Sequence, residues 1–168
     1  MVEDSELSPD PSLTRELFLE WRSPRRGTAN PELMNNPVWD WLVRSELDAY
    51  RANRRFDGPS ALGAGPGWCF TRFGQSATTL SDGRVVLVAG EQEDYYDPDF
   101  YIYDDVVVRH PDGRIDIFGY PTEAFPPTDF HSATLVGERV ILIGNLGYVD
   151  HRQPGTTPVF VLDLTTFS

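Results

Sequence analysis

The chain has 168 residues, enough to bury one sizeable core, and 12% of them are aromatic, which supplies bulky side chains to fill it. The formal net charge of -12 is uneven: 15 acids stand against 6 arginines after residue 60, and 11 against 8 before it. This excludes the cationic face that nonspecific binding to nucleic acid or anionic membrane requires, and it favours a basic protein partner or a cation.

All 14 basic residues are arginine and Cys69 is the sole cysteine, which leaves no lysine Schiff base, intramolecular disulfide or cysteine zinc cluster. Residues 1–9 read as a frayed terminus, with neither a positive leader nor an apolar run of secretory or spanning length, so a cytoplasmic location is expected. Asp10-Pro11 gives a cap-plus-proline signal for a short helix ending near Arg22, with Leu13, Leu17, Phe18 and Trp21 on one face. Asn30-Pro31 predicts a brief helical turn. Asn36-Pro37 repeats the signal ahead of Trp39, Val43, Leu47 and Tyr50, which predicts one helix with Arg51, Arg54 and Arg55 in its last turns and Gly58-Pro59 as its stop.

Gly58–Gly67 reads as a linker, after which the period changes from helical to alternating. Strands are predicted at about Arg72–Leu80, Arg84–Ala89, Phe100–Arg109 and Arg114–Tyr120, then Phe130–Val136, Arg139–Ile143 and Pro158–Leu164. The two sets are copies of one pattern. Arg72-Phe-Gly-Gln-Ser-Ala-Thr-Thr-Leu80 and Arg84-Val-Val-Leu-Val-Ala-Gly90 match Asp129-Phe-His-Ser-Ala-Thr-Leu135 and Arg139-Val-Ile-Leu-Ile-Gly144, with Ser76 and Ser132 separated by 56 residues and Gly90 and Gly144 by 54.

These paired strands, with the later Tyr101-Ile-Tyr-Asp-Asp and Val159-Phe-Val-Leu-Asp, resemble kelch repeats over residues 66–168. With the helices read in residues 1–58 as an α-helical N-terminal segment or cap, the expected protein is mainly β. The resemblance implies kelch-like β-propeller blades: a full four-stranded one at about 72–120 and a partial, three-stranded one at about 130–168. The family's Gly-Gly pair is Gly90-Glu91 and Gly144-Asn145 here, and its tryptophan near the fourth strand is missing. Because a closed propeller needs at least ~4 blades, the array is an incomplete propeller with outward apolar faces. Cover by the helices, homo-oligomerisation through the exposed blade faces, or completion by a further strand or longer chain are the expected resolutions.

The densest candidate site is Glu91-Gln-Glu-Asp-Tyr-Tyr-Asp-Pro-Asp-Phe-Tyr101, continuing to Asp104 and Asp105: seven carboxylates in 15 residues with no base among them. Such charges are solvated, paired with arginine, or neutralised by a cation. Asp94, Asp97 and Asp99 are hard-oxygen candidates for calcium or magnesium, without EF-hand spacing. Tyr95 and Tyr96 fit a recognition surface, whereas Tyr101 and Tyr103 fit packing. A second long loop, Gly144–Thr157, occupies the equivalent place in the other repeat and brings Tyr148, His151 and Arg152 beside the first.

Asp129 and His131 share a strand face, which suits acid/base work, but His131 replaces Gln75 of the first repeat and so also fits an inter-strand hydrogen bond. His110, in a hairpin turn, is expected to be exposed. Ser76 and Ser132 lack the glycine-flanked elbow of a nucleophile, and no phosphate loop or dinucleotide fingerprint is present.

No catalytic residue and no obligatory cofactor is therefore expected. The expected function is a noncatalytic interaction module that binds a basic partner through Glu91, Glu93, Asp94, Tyr95, Tyr96, Asp97, Asp99, Tyr148, His151 and Arg152; an inhibitor or immunity-type protein is one role that would fit this acidity. The alternative is a divergent metal-dependent carbohydrate-binding protein or enzyme that uses the acidic loop.

Overall fold

Two cap-plus-proline signals precede the helical segment, and side-chain capping decides where its helices form. The computed structural model describes residues 12–168, apart from the side chains of Ala61 and Leu62, so the Asp10-Pro11 signal lies outside the described residues. Helix α1 (Arg15–Trp21) is capped by Thr14, whose hydroxyl accepts from Leu17 N at 3.2 Å. Helix α2 (Pro37–Ser45) is capped by Asn36, which accepts from Val38 and Trp39 N–H.

The single helix expected through Tyr50 is two helices. Glu46 adopts a left-handed φ of 53° and returns its N–H to Leu42 O, ending α2. Asp48 then caps α3 (Ala49–Arg55) by accepting from Arg51 N at 2.7 Å. The restart rotates Tyr50 off the buried stripe, and it is 67% exposed. A short helix, α4 (Ala61–Ala64), interrupts the linker.

The helical turn expected at Asn30-Pro31 is instead the approach to a strand, β1 (Glu32–Leu33). The Glu32 carboxylate is held by Thr28 N–H, the Thr28 hydroxyl and Arg25, which fixes the segment in an extended state.

The repeat region forms β2 (Ser76–Thr79), β3 (Val85–Val88), β4 (Glu91–Gln92), β5 (Tyr101–Ile102), β6 (Asp105–Arg109) and β7 (Ile115–Gly119), then β8 (Ser132–Val136), β9 (Arg139–Ile143) and β10 (Val159–Asp163). Every pairing is antiparallel. Sheet one has the order β1-β7-β6-β3-β2, sheet two β10-β9-β8, and β4-β5 is a separate hairpin. The strand expected over Phe100–Arg109 breaks at Tyr103-Asp104, where Tyr103 N–H turns to Gly90 O and its carbonyl accepts from Thr128 N–H. The protein is thus mainly β, with its helices N-terminal.

Alternation on sheet one builds two cores. On one face Val107, Ile115 and Ile117 pack against Trp39, Trp41, Leu42 and Val43 from α2, with Trp39 stacked on Trp68 at 4.8 Å. On the other Val86, Val88, Val106 and Val108 pack against Val140, Leu142, Leu162 and Leu164 of sheet two. Full burial of each such side chain is worth roughly 1.5–3 kcal/mol. The far face of sheet two is uncovered, leaving Val136, Ile143, Val159 and Val161 exposed. Among the described residues no helix is long and apolar enough to cross a membrane.

Candidate functional site: the rim formed by two loops

The first loop stands on a buried ionic network. The Arg72 guanidinium, fully buried, pairs with Asp105 and donates to Cys69 O and Ala89 O; Asp105 also accepts from Trp68 Nε1 at 2.7 Å. Tyr103 lies beneath Arg72, with Oη 2.6 Å from Gly67 O and 2.9 Å from Gln92 Oε1. Cys69 Sγ is 3.5 Å from the same Oη, and burial pushes its thiol up.

This network divides the seven carboxylates. Asp104 and Asp105 belong to the interior, where Arg26 Nε stands 3.0 Å from Asp104 Oδ2. Burial, with Asp105 adjacent, pushes the Asp104 carboxyl up to about 7. Glu91 faces Asp129 at the junction of the two sheets. Burial and the neighbouring Asp129 carboxylate push it up to about 7 as well.

Glu93, Asp94, Tyr95, Tyr96, Asp97 and Asp99 remain on the rim. Tyr96 is 89% exposed and Tyr95 55%. Desolvation and the charges of Asp99, Asp97, Asp48 and Asp94 raise the Glu93 carboxyl, so the cluster is mutually repulsive. Asp94 Oδ1 is occupied by Tyr96 N–H at 2.9 Å. Among the described residues no group of three or more His, Cys, Asp or Glu is placed to hold a metal ion, and Asp94, Asp97 and Asp99 form no ligand set.

The second loop is anchored from inside. Asp129 Oδ1 accepts from Gly147 N at 2.6 Å, and Asn145 bridges Asp129 N–H and Pro127 O. Arg152 Nε donates to Leu146 O at 2.9 Å and its guanidinium reaches Gly147 O, so it fastens its own loop. Tyr148 joins the loops: its hydroxyl accepts from Ile102 N–H at 2.9 Å and its ring meets Phe100 edge-on at 5.7 Å. Phe100 in turn touches Tyr95, and Tyr95 touches Tyr96. His151 packs edge-on against Tyr148, and a cleft of about 550 Å³ opens beneath, lined by Arg26, Asn145, Tyr148, His151, Arg152 and Phe160.

No family model, curated protein or solved structure matches this chain. The site rests on its own geometry. That geometry separates the histidines: His131 Nε2 is 2.8 Å from Ser76 Oγ, a bond between the two repeats, while His131 Nδ1 has no hydrogen-bond partner among the described residues. A Ser-His-Asp relay needs that second nitrogen on a carboxylate, and no hydrogen bond joins His131 to Asp129 among the described residues: Asp129 Oδ1 accepts from Gly147 N–H, and Asp129 Oδ2 and His131 Nδ1 are both buried without a hydrogen-bond partner. Burial lowers the His131 imidazole, which favours its neutral form. His110, expected at the surface, is turned inward onto Asp116 Oδ2 at 2.8 Å and Arg114. The sequence marks neither Arg26 nor Arg72 as a site residue: Arg26 stands in a Pro-Arg-Arg-Gly loop and Arg72 opens the first repeat, as Asp129 opens the second, and their carboxylate partners lie far away in the chain.

Proposed function

We propose that this chain is a noncatalytic protein-interaction module whose acidic, tyrosine-bearing rim binds a basic protein, and that its two sheets are successive kelch-like blades of an incomplete β-propeller. The blade reading is supported by the matched order of β2-β3-β6-β7 and β8-β9-β10 and by Gly90 and Gly144, both at a φ near +95° where the second strand of each repeat turns out (96° and 94°). The observation that carries the function is the exposed Tyr95-Tyr96 pair, standing among Glu93, Asp94, Asp97 and Asp99, none of which forms an ion pair among the described residues. Tyrosines held by edge-on ring contacts give contact area at low entropic cost, and unneutralised carboxylates steer and select a cationic surface.

The test is capture from native lysate by the wild-type chain and by a triple variant, Asp94→Asn/Asp97→Asn/Asp99→Asn, followed by titration of the purified captured protein at two salt concentrations. A basic protein bound by the wild type, lost in the variant and weakened by salt supports the reading. Equal capture by both chains, or no salt dependence, overturns it.

A further inference from the structure

A second cleft, of about 230 Å³, opens between α1, α3 and the base of the acidic loop. Four elements bring polar groups to it. Arg22 closes α1, where its carbonyl accepts from Trp68 N–H at 2.6 Å. Asn53 comes from α3, Gln92 from β4, and Asp99 from the loop between β4 and β5. Phe18, Ala52 and Trp68 add an apolar wall.

Three observations show that these groups do not satisfy one another. The first is Arg22, which is 7% exposed and forms no ion pair among the described residues. Its Nη2 donates to Gly65 O at 3.3 Å, and its Nε has no hydrogen-bond partner. Burial lowers the guanidinium, and the charge that opposes this is Asp99, which lines the same cleft without pairing with it. The second is Gln92, 5% exposed, which gives one amide atom to Tyr103 Oη at 2.9 Å and leaves the other buried and unpartnered. The third is Asn53. Its Nδ2 donates to Pro59 O at 2.7 Å, which fixes Oδ1 as an acceptor, and that oxygen too is buried without a partner.

Three of the nine buried side-chain polar atoms left without a partner among the described residues thus belong to one cleft. Such groups call for a ligand, an ion or water. Water satisfies the two amides but gives Arg22 no counter-charge, and a buried charge without one is costly to a fold. The planar guanidinium matches a carboxylate. Asp99 and Asn53 Oδ1, both acceptors, call for a cationic donor on the same molecule, and the wall calls for an apolar body. A phosphate fits less well, because its second negative charge would meet Asp99. The volume lies under the roughly 300–1,000 Å³ of drug-sized ligands, which limits the occupant to a small molecule.

We propose that this cleft binds a free α-amino acid with a small aliphatic side chain, its carboxylate on Arg22, its ammonium shared by Asp99 and Asn53, and its side chain against Phe18, Ala52 and Trp68. The exposed Tyr95-Tyr96 pair takes no part, and of the acidic rim only Asp99 contributes.

The test is calorimetric titration of the full chain with L-valine, with 3-methylbutanoate, which is valine without its ammonium, and with 2-methylpropylamine, which is valine without its carboxylate. L-Valine is expected to saturate with a dissociation constant below about 1 mM, and each truncated form to bind at least about tenfold more weakly. Arg22→Met abolishes the binding, and a cooperative thermal melt of this variant reports that it is folded. Asp99→Asn, a change at the rim that does not touch the core, weakens L-valine by about tenfold or more and leaves 3-methylbutanoate unchanged. No saturable binding of L-valine, equal binding of 3-methylbutanoate, or L-valine bound as tightly by either variant as by the wild type overturns the proposal. Capture of a basic protein by the rim is read separately and does not depend on Arg22.

Discussion

The guanidinium of Arg72 lies over the ring of Tyr103, 3.5 Å from its centroid, while it is ion-paired with Asp105 in the interior. Each charge is tolerable there because the other is present, and the ring face adds a cation–π contact. The pair also joins the segment before β2 to the first residue of β6, which fixes the base of the acidic loop.

Removing one member leaves the other charged and buried. Asp105→Asn is expected to destabilise the fold by about 3–5 kcal/mol, measured by urea denaturation. The double change Arg72→Met/Asp105→Leu is expected to be more stable than either single variant, because it removes both charges together. A double variant as unstable as the singles would show that the network acts through something other than paired charge.

Asp104 sets a pH dependence. Its folded carboxyl sits at about 7 against an ordinary value of 3.8, so the folded state holds a proton that the unfolded state has released. That contribution is complete below about pH 4 and is lost as pH rises through 7. Asp104→Asn is expected to lose this component and to keep only the pH dependence contributed by other groups such as Glu91, which also sits at about 7. The wild type should lose stability relative to the variant between pH 5 and pH 8, by an amount on the order of 2–3 kcal/mol. Denaturant titrations of both proteins at the two pH values read this difference.

Tyr148→Phe removes one acceptor and little else. The change is expected to cost about 1 kcal/mol and to accelerate hydrogen exchange at the Ile102 amide, which donates to that hydroxyl. Binding through the rim should weaken together with this protection, since the same bond holds the two loops in one arrangement. Unchanged exchange at Ile102 would assign the amide another partner.

The two equivalent glycines differ in their surroundings. A Cβ on Gly90 would meet Gln75 Cβ and Phe73 O at 2.9 Å, whereas one on Gly144 would meet nothing within 4 Å. Both residues have positive φ, so Gly144→Ala should cost about 1–2 kcal/mol from backbone strain alone. Gly90→Ala should cost clearly more, and thermal melts of the two variants give the order directly.

Much of the fold was legible where local chemistry decides. Asn36 before Pro37 marked α2, and the short β-branched apolar runs of Val85–Val88 and Arg139–Ile143 marked the central strands, because caps and short apolar runs bounded by turns act over a few residues. The break at Glu46 was not legible, since Asp48 competes for the helix start only once Leu47 finds a core to enter. At the site, the surface role of Tyr95 and Tyr96 followed from their neighbours in sequence. The inward turn of Asp104 and Asp105 did not, because Arg26 and Arg72 reach them from distant parts of the chain. A run of acids reads alike whether its counter-charges are absent or come from far away.

The pairing of β1 with β7, Glu32 opposite Gly119 and Leu33 opposite Phe118, bears on how the chain is made. The ribosome releases α2 and its buried tryptophans long before the strands they cover. Until residue 119 has emerged, Trp39, Trp41 and Val43 have no sheet to rest on. Nascent chains halted short of that point should therefore recruit chaperones and be readily cleaved by protease, and those extended past it should become resistant in a single step.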